Sequence, residues 1–160
     1  MTGIRAWWAV SAVLVIAALA VVPSGSLASP PVSGSGSYTV TGFVPTGVRS
    51  AGDKTILSGT ETVEFTGTIS GTGVHDLVLT IQPDGSFTVR GKGTFSGTVD
   101  GISGGFEDAI KGSGVLGVSV QGTFTITDGS GGLADLSGHA AFAGIPLKAG
   151  TYTVQFHLEG

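Results

Sequence analysis

The sequence predicts an all-β protein, a single antiparallel barrel of about eight strands behind an export signal. Three observations carry this expectation. Apolar and polar residues alternate with period two through most of the chain, the signature of half-buried strands. Pro, Asp and Gly clusters break the alternation at short intervals. Glycine is abundant, 29 of 160 residues, and Thr and Ser are plentiful, while strong helix formers thin out after residue 40. Short links leave no room for crossover helices, so neighbouring strands run antiparallel. A meander with one polar face closes naturally into a barrel, which removes exposed edges. A two-sheet β-sandwich is the alternative.

The elements follow in chain order. Arg5 precedes an apolar run, Ala6–Val22, and then Ser26-Leu27-Ala28. A positive start, an apolar stretch and small residues at −3 and −1 make residues 1–28 a secretory signal peptide, cut after Ala28. The run falls short of the roughly 20 residues that span a bilayer, so no stable membrane span is expected after cleavage. Residues 29–37 are Ser, Gly and Pro with single Val and no apolar period, and read as a flexible leader. The barrel domain is expected over 38–160.

Within it, Phe87–Val99 alternates most clearly: Phe87, Val89, Phe95 and Val99, with glycines between, share one parity, and Thr, Arg, Lys and Ser take the other. Val118–Thr127 repeats the pattern through Val120, Phe124 and Ile126. The last strand carries Tyr152, Val154, Phe156 and Leu158. Thr55–Ile69 places Leu57, Val63, Phe65 and Ile69 on one parity, and His75–Ile81 does so with Leu77, Leu79 and Ile81. Pro83-Asp84-Gly85 is a strong turn signal, and Asp100-Gly101, Asp128-Gly129 and Gly131-Gly132 mark further reversals.

Charge narrows the function. Seven Lys and Arg stand against 11 Asp and Glu, a net charge of −4. No basic run occurs, which argues against nucleic acid and against anionic lipid surfaces as partners. The chain has no Cys, so disulfides and a lipidated cysteine are excluded and the exported fold holds by packing alone.

The stretch Gly122–His139, with its Gly-rich strand-turn-strand, resembles the allene oxide cyclase and dirigent barrels and the small bacterial proteins grouped with them. Thr66–Gly73 and the closing Gly150-Thr151-Tyr152 strand fit the same pattern, over roughly residues 38–158 in all. The resemblance implies an eight-stranded antiparallel barrel whose apolar interior holds a small hydrophobic molecule. The plant enzymes of that group steer cyclisation or radical coupling. None of their functional residues maps individually onto this chain.

Short motifs add little. Gly101-Ile102-Ser103-Gly104-Gly105 matches G-x-S-x-G, but a nucleophile elbow needs a helix after the turn, and strand pattern surrounds this one. Gly112–Gly117 matches G-x-G-x-x-G and also lacks its helix. Asp128 and Asp135 flank one glycine turn, too few ligands for calcium. His75, His139 and His157 form no close ligand pair, so neither a metal nor a cofactor is expected.

One constellation stands out. Glu61 shares parity with Leu57, Val63 and Phe65, and His75 with Leu77, Leu79 and Ile81. If both strands keep register, a carboxylate and an imidazole meet inside the barrel, where each needs a partner. In the alternative, a bulge at Ser58-Gly59-Thr60 flips Glu61 outward and His75 lies at a strand start near the rim. The sequence favours that alternative. Phe87, Gly91, Gly93 and Phe95 complete the candidate lining: missing side chains at the glycines leave room for a ligand, or else serve tight curvature and close packing.

The expected function is that of a secreted barrel binding, or cyclising, a small hydrophobic molecule in a cavity on the order of a few hundred Å³. The competing expectation is an extracytoplasmic structural or interaction module with a filled interior and no ligand. A hydrolase resting on Ser103 comes third. Oligomerisation stays open.

Overall fold

The computed structural model describes residues 30–158. The expected signal peptide and its cleavage site lie outside them. Eight strands follow one another: β1 (Val32–Ala51), β2 (Lys54–Gly67), β3 (Ile69–Ile81), β4 (Ser86–Val99), β5 (Ile102–Val115), β6 (Ser119–Gly131), β7 (Leu136–Ile145) and β8 (Ala149–Leu158). Each pairs antiparallel with the next, and β8 closes onto β1. No helix occurs among the described residues. The barrel is the predicted architecture, and the sandwich alternative falls.

The start of the barrel differs from expectation. The segment read as a leader is strand from Val32 onward, paired with β8 from Val32↔Phe156 to Thr39↔Ala149. Its pattern was invisible because glycines take the alternate positions. A Cβ at Gly36 would overlap the Thr66 carbonyl and the Tyr152 ring, and one at Gly34 would overlap Thr68. The glycines are there because neighbours already fill the space.

Beyond Thr39, β1 pairs only with β2 and continues as an unshared edge to Ala51. Pro45 and two register shifts, at Val40/Gly42 and Pro45/Gly47, lie on this stretch. Both are devices that discourage edge-to-edge association.

The meander gives the barrel two ends. One holds the β2–β3, β4–β5 and β6–β7 turns, and the other holds the β3–β4, β5–β6 and β7–β8 turns. The first end is packed shut by Phe65, Ile69, Phe95, Val99, Phe106, Leu133, Leu136 and Phe156, all buried. Leu133 is fully buried although it belongs to a turn, and the glycines at 104 and 129 make room for it. Phe95 and Phe106 stack at 4.6 Å between centroids.

Tyr152 fastens the closed end. Its hydroxyl accepts the Ile69 N–H at 2.8 Å and lies 3.0 Å from the Thr66 and Ile69 carbonyls, to one of which it donates. The β2–β3 turn is thereby tied to β8 across the interior. Burial raises the Tyr152 pKa, so the hydroxyl keeps the proton this link needs. Toward the other end, which we call the mouth, a smaller cluster of Leu77, Leu79, Phe87 and Val89 lines the wall.

Candidate functional site

Halfway along the barrel, four consecutive strands place one residue each on a single inward-facing row. Glu61 on β2 pairs with His75 on β3, His75 with Gly93 on β4, and Gly93 with Asp108 on β5. The β2–β3 register runs unbroken from Thr55↔Ile81 to Phe65↔Gly71. The bulge expected at Ser58-Gly59-Thr60 is therefore not in that ladder, and Glu61 faces inward. The irregularities lie on the β1 side instead. Nor does His75 sit at a strand start: β3 begins at Ile69, and its early inward positions are Gly71 and Gly73, which carry no apolar side chain to reveal the period.

The imidazole reaches both carboxylates. His75 Nε2 is 3.3 Å from Asp108 Oδ2, a hydrogen bond, and Nδ1 is 3.7 Å from Glu61 Oε1, an ion-pair distance beyond hydrogen-bond reach. Strands lie about 4.8 Å apart, so contact from β3 to β5 requires the ring to cross β4. Gly93 makes the crossing possible, because a Cβ there would occupy the position of the imidazole Cδ2. Likewise a Cβ at Gly91 would stand 2.7 Å from Leu77 Cδ2. These glycines do not enclose empty space: neighbouring side chains already use it.

Burial of His75, which is 2% exposed, by itself lowers its pKa. The hydrogen bond with Asp108 and the neighbouring Glu61 carboxylate outweigh this and push it up to about 9. The imidazole is thus a cation at neutral pH, with both ring nitrogens carrying protons. Tyr38, on the β1 side of the row, is raised to about 12 by burial and then by the Glu61 charge.

Above the row, toward the mouth, lies a cavity of about 80 Å³. Its walls are apolar, including Val63, Leu77, Leu79, Phe87, Ile110 and Phe142, and its polar lining is Tyr38, Glu61 and His75. Ile145, Pro146 and Leu147 of the β7–β8 turn also border it. The volume is well below the few hundred Å³ expected of a ligand-holding barrel, because aromatic side chains fill most of the interior. Tyr38 Oη, His75 Nδ1 and Asp108 Oδ1 are buried without a hydrogen-bond partner.

Of the sequence candidates, Glu61, His75 and Phe87 line this cavity. Gly91 and Gly93 back the site without lining it. Phe95 belongs to the closed end, stacked on Phe106. Tyr38 and Asp108 complete the polar group and were not among the candidates. The parity of Phe106, Asp108 and Ile110 on β5 was the available signal for Asp108.

Ser103 is exposed at the start of β5, and no helix follows it. The Gly112–Gly117 motif runs from β5 into the β5–β6 turn. His139 and His157 are exposed on β7 and β8. Glu61 and Asp108 flank opposite nitrogens of His75 rather than converging, and among the described residues no group of three or more His, Cys, Asp or Glu could hold a metal ion.

These features define a class: a small antiparallel barrel packed shut at one end, with an apolar pocket over a carboxylate–histidine–carboxylate row. Residues 34–156 match the family described as "Protein of unknown function (DUF3224)", and the chain belongs to that family. The fold is similar to the crystal structure of a protein with unknown function from the DUF3224 family of Shewanella oneidensis MR-1, with a TM-score of 0.68 and 17% identity over 81% of this chain and 98% of that one. At that identity the likeness concerns the fold alone. No curated protein matches the chain.

Proposed function

We propose that this protein is an exported barrel that binds a small, largely apolar molecule carrying one polar group. The cavity is the observation that carries the reading: an apolar shaft bordered by the mouth-end turn, with Glu61, His75 and Tyr38 as its polar lining. Pockets of this composition, apolar with a few convergent polar groups, are the usual form of small-molecule sites. A cavity of about 80 Å³ is roughly half the engineered 150 Å³ cavity that accepts benzene. It suits one end of a ligand, with the remainder standing in the mouth.

The resemblance to allene oxide cyclase and dirigent barrels supports the same reading and extends it to ligands that such barrels fold or cyclise. Export rests on the signal-like residues 1–28. The small cavity favours one competing reading, a structural module in which the space holds only water.

Native mass spectrometry of the full chain, exported by a host cell and recovered without denaturation, tests the proposal. The expected spectrum shows a protein beginning at Ser29 with a stoichiometric small-molecule adduct that leaves on gentle activation. A clean apo mass, under conditions that preserve a control lipid-binding barrel, would favour the structural module.

A further inference from the structure

We infer that the polar group this pocket receives is an organic ammonium, held by Glu61 inside an aromatic box; the inference rests on the small-molecule reading above. Two independent features point to it.

The first is charge. The row holds two carboxylates and one imidazole. The imidazole is hydrogen-bonded to Asp108 at 3.3 Å and stands 3.7 Å from Glu61. Asp108 and His75 therefore form the close pair, and Glu61 carries the formal negative charge left over. The Glu61 side chain is 13% exposed and lines the cavity. Outside the row, Tyr38 is the titratable group that lines the cavity, and it is neutral below its raised pKa. No Lys or Arg lines the cavity. A carboxylate in apolar surroundings is costly until it is paired, and the pocket offers nothing further to pair it.

The second is the wall. Tyr38, Phe65, Phe124 and Phe142 all line the cavity. Tyr38 and Phe142 meet at 90° with centroids 6.1 Å apart, and Phe65 lies 6.4 Å from Tyr38 and 6.2 Å from Phe124. Rings gathered around one space bring their π-systems within reach of a ligand there, and aromatic π-systems attract organic cations. An anion would meet the Glu61 carboxylate as a repulsion, while the positive charge of His75 is already offset by Asp108 at 3.3 Å. Glu61 Oε1 stands 3.7 Å from His75 Nδ1, so the carboxylate is drawn toward the imidazole without being tied to it by a hydrogen bond. A primary ammonium with its first few methylene groups matches the available volume.

The test compares three probes of one length at pH 7: hexylammonium, hexan-1-ol and hexanoate. An alkylammonium keeps its proton there, as a lysine side chain does. Calorimetric titration of the exported protein is expected to give hexylammonium at least about ten-fold tighter than hexanol, a difference of about 1.4 kcal/mol, and hexanoate weakest. In Glu61→Gln, checked for folding by circular dichroism, the ammonium-to-alcohol ratio is expected to fall to about one.

Equal or tighter binding of hexanol with a folded wild-type protein would overturn the ammonium inference and leave the small-molecule reading standing. Binding of none of the three would overturn both. An ammonium preference that survives in Glu61→Gln would overturn the role given to Glu61. Should that variant fail to fold, the order of the three probes on the wild type decides.

Discussion

The row of Glu61, His75 and Asp108 makes the stability of this barrel depend on pH in a range where few other groups titrate. Raising an imidazole from 6.5 to about 9 is worth about 3 kcal/mol, at roughly 1.4 kcal/mol per pH unit. The folded state holds the proton more tightly than the unfolded chain. The stabilisation is therefore fully present below pH 6.5 and is lost as pH rises through about 9. Urea unfolding followed by circular dichroism at steps from pH 6 to about 10 would read this directly. Between pH 6.5 and 9 the unfolding free energy is expected to fall by about 1.4 kcal/mol per pH unit. His75→Gln cannot hold the proton and should give a nearly flat profile over the same range. The chain has no Cys to confuse the result, and the Tyr38 hydroxyl, at about 12, stays protonated. A wild-type profile that loses less than about 1 kcal/mol across this range, or one that His75→Gln reproduces, would refute the assignment of His75 as a buried cation.

Three structural predictions follow from close packing. Gly93→Ala places a methyl group where the imidazole lies and 2.8 Å from the Val74 carbonyl; it should cost about 3–5 kcal/mol by separating His75 from Asp108, measurable as a lower urea midpoint. Tyr152→Phe removes the acceptor of the Ile69 N–H, held at 2.8 Å. It should cost about 1–3 kcal/mol and speed hydrogen exchange at the Ile69 amide, and unchanged exchange there would refute the link. Leu133→Ala empties a fully buried position and should cost about 2–5 kcal/mol, whereas a loss under about 1 kcal/mol would mean that Leu133 does not plug the closed end.

The legible parts of the fold were those in which a strand shows its inward face as side chains. Phe87, Val89, Phe95 and Val99 define β4 on sight, and Phe124, Ile126, Tyr152, Val154 and Phe156 do the same for β6 and β8. Where the inward face is glycine, the period disappears. Gly34 and Gly36 hid the start of β1 because Thr68 and Tyr152 occupy their space. Gly71 and Gly73 hid the first half of β3, which made His75 look terminal. The inward parity of Glu61 was readable, but a bulge belongs to a pair of strands, and one sequence segment does not say which ladder carries it. The inward parity of Asp108 with Phe106 and Ile110 was readable as well, but its partner was not. Its contact with His75 depends on the empty position at Gly93, a relation across three strands that no local pattern encodes.

The charges of the trio are not expected to be what holds the barrel together, and a triple variant tests this. Desolvating three ionisable groups in an apolar interior offsets much of what their mutual attraction returns, so well-packed apolar replacements of similar volume are often neutral or stabilising. Removing one member alone is different. Asp108→Leu leaves the imidazole facing only Glu61 at 3.7 Å, and His75→Phe leaves two carboxylates facing each other with no cation between them. Each single change should cost about 3–5 kcal/mol at neutral pH. The triple variant Glu61→Leu, His75→Phe, Asp108→Leu keeps a ring over Gly93 and apolar bulk on either side. It should regain most of that loss, and its stability should no longer fall through pH 9. Such an outcome separates the trio from the fold: an arrangement that apolar side chains can replace without loss of stability is retained for what it presents to the pocket. A triple variant that remains unfolded, or that is no more stable than the worst single, would instead make the row part of the framework of the barrel, with Gly93 its structural keystone.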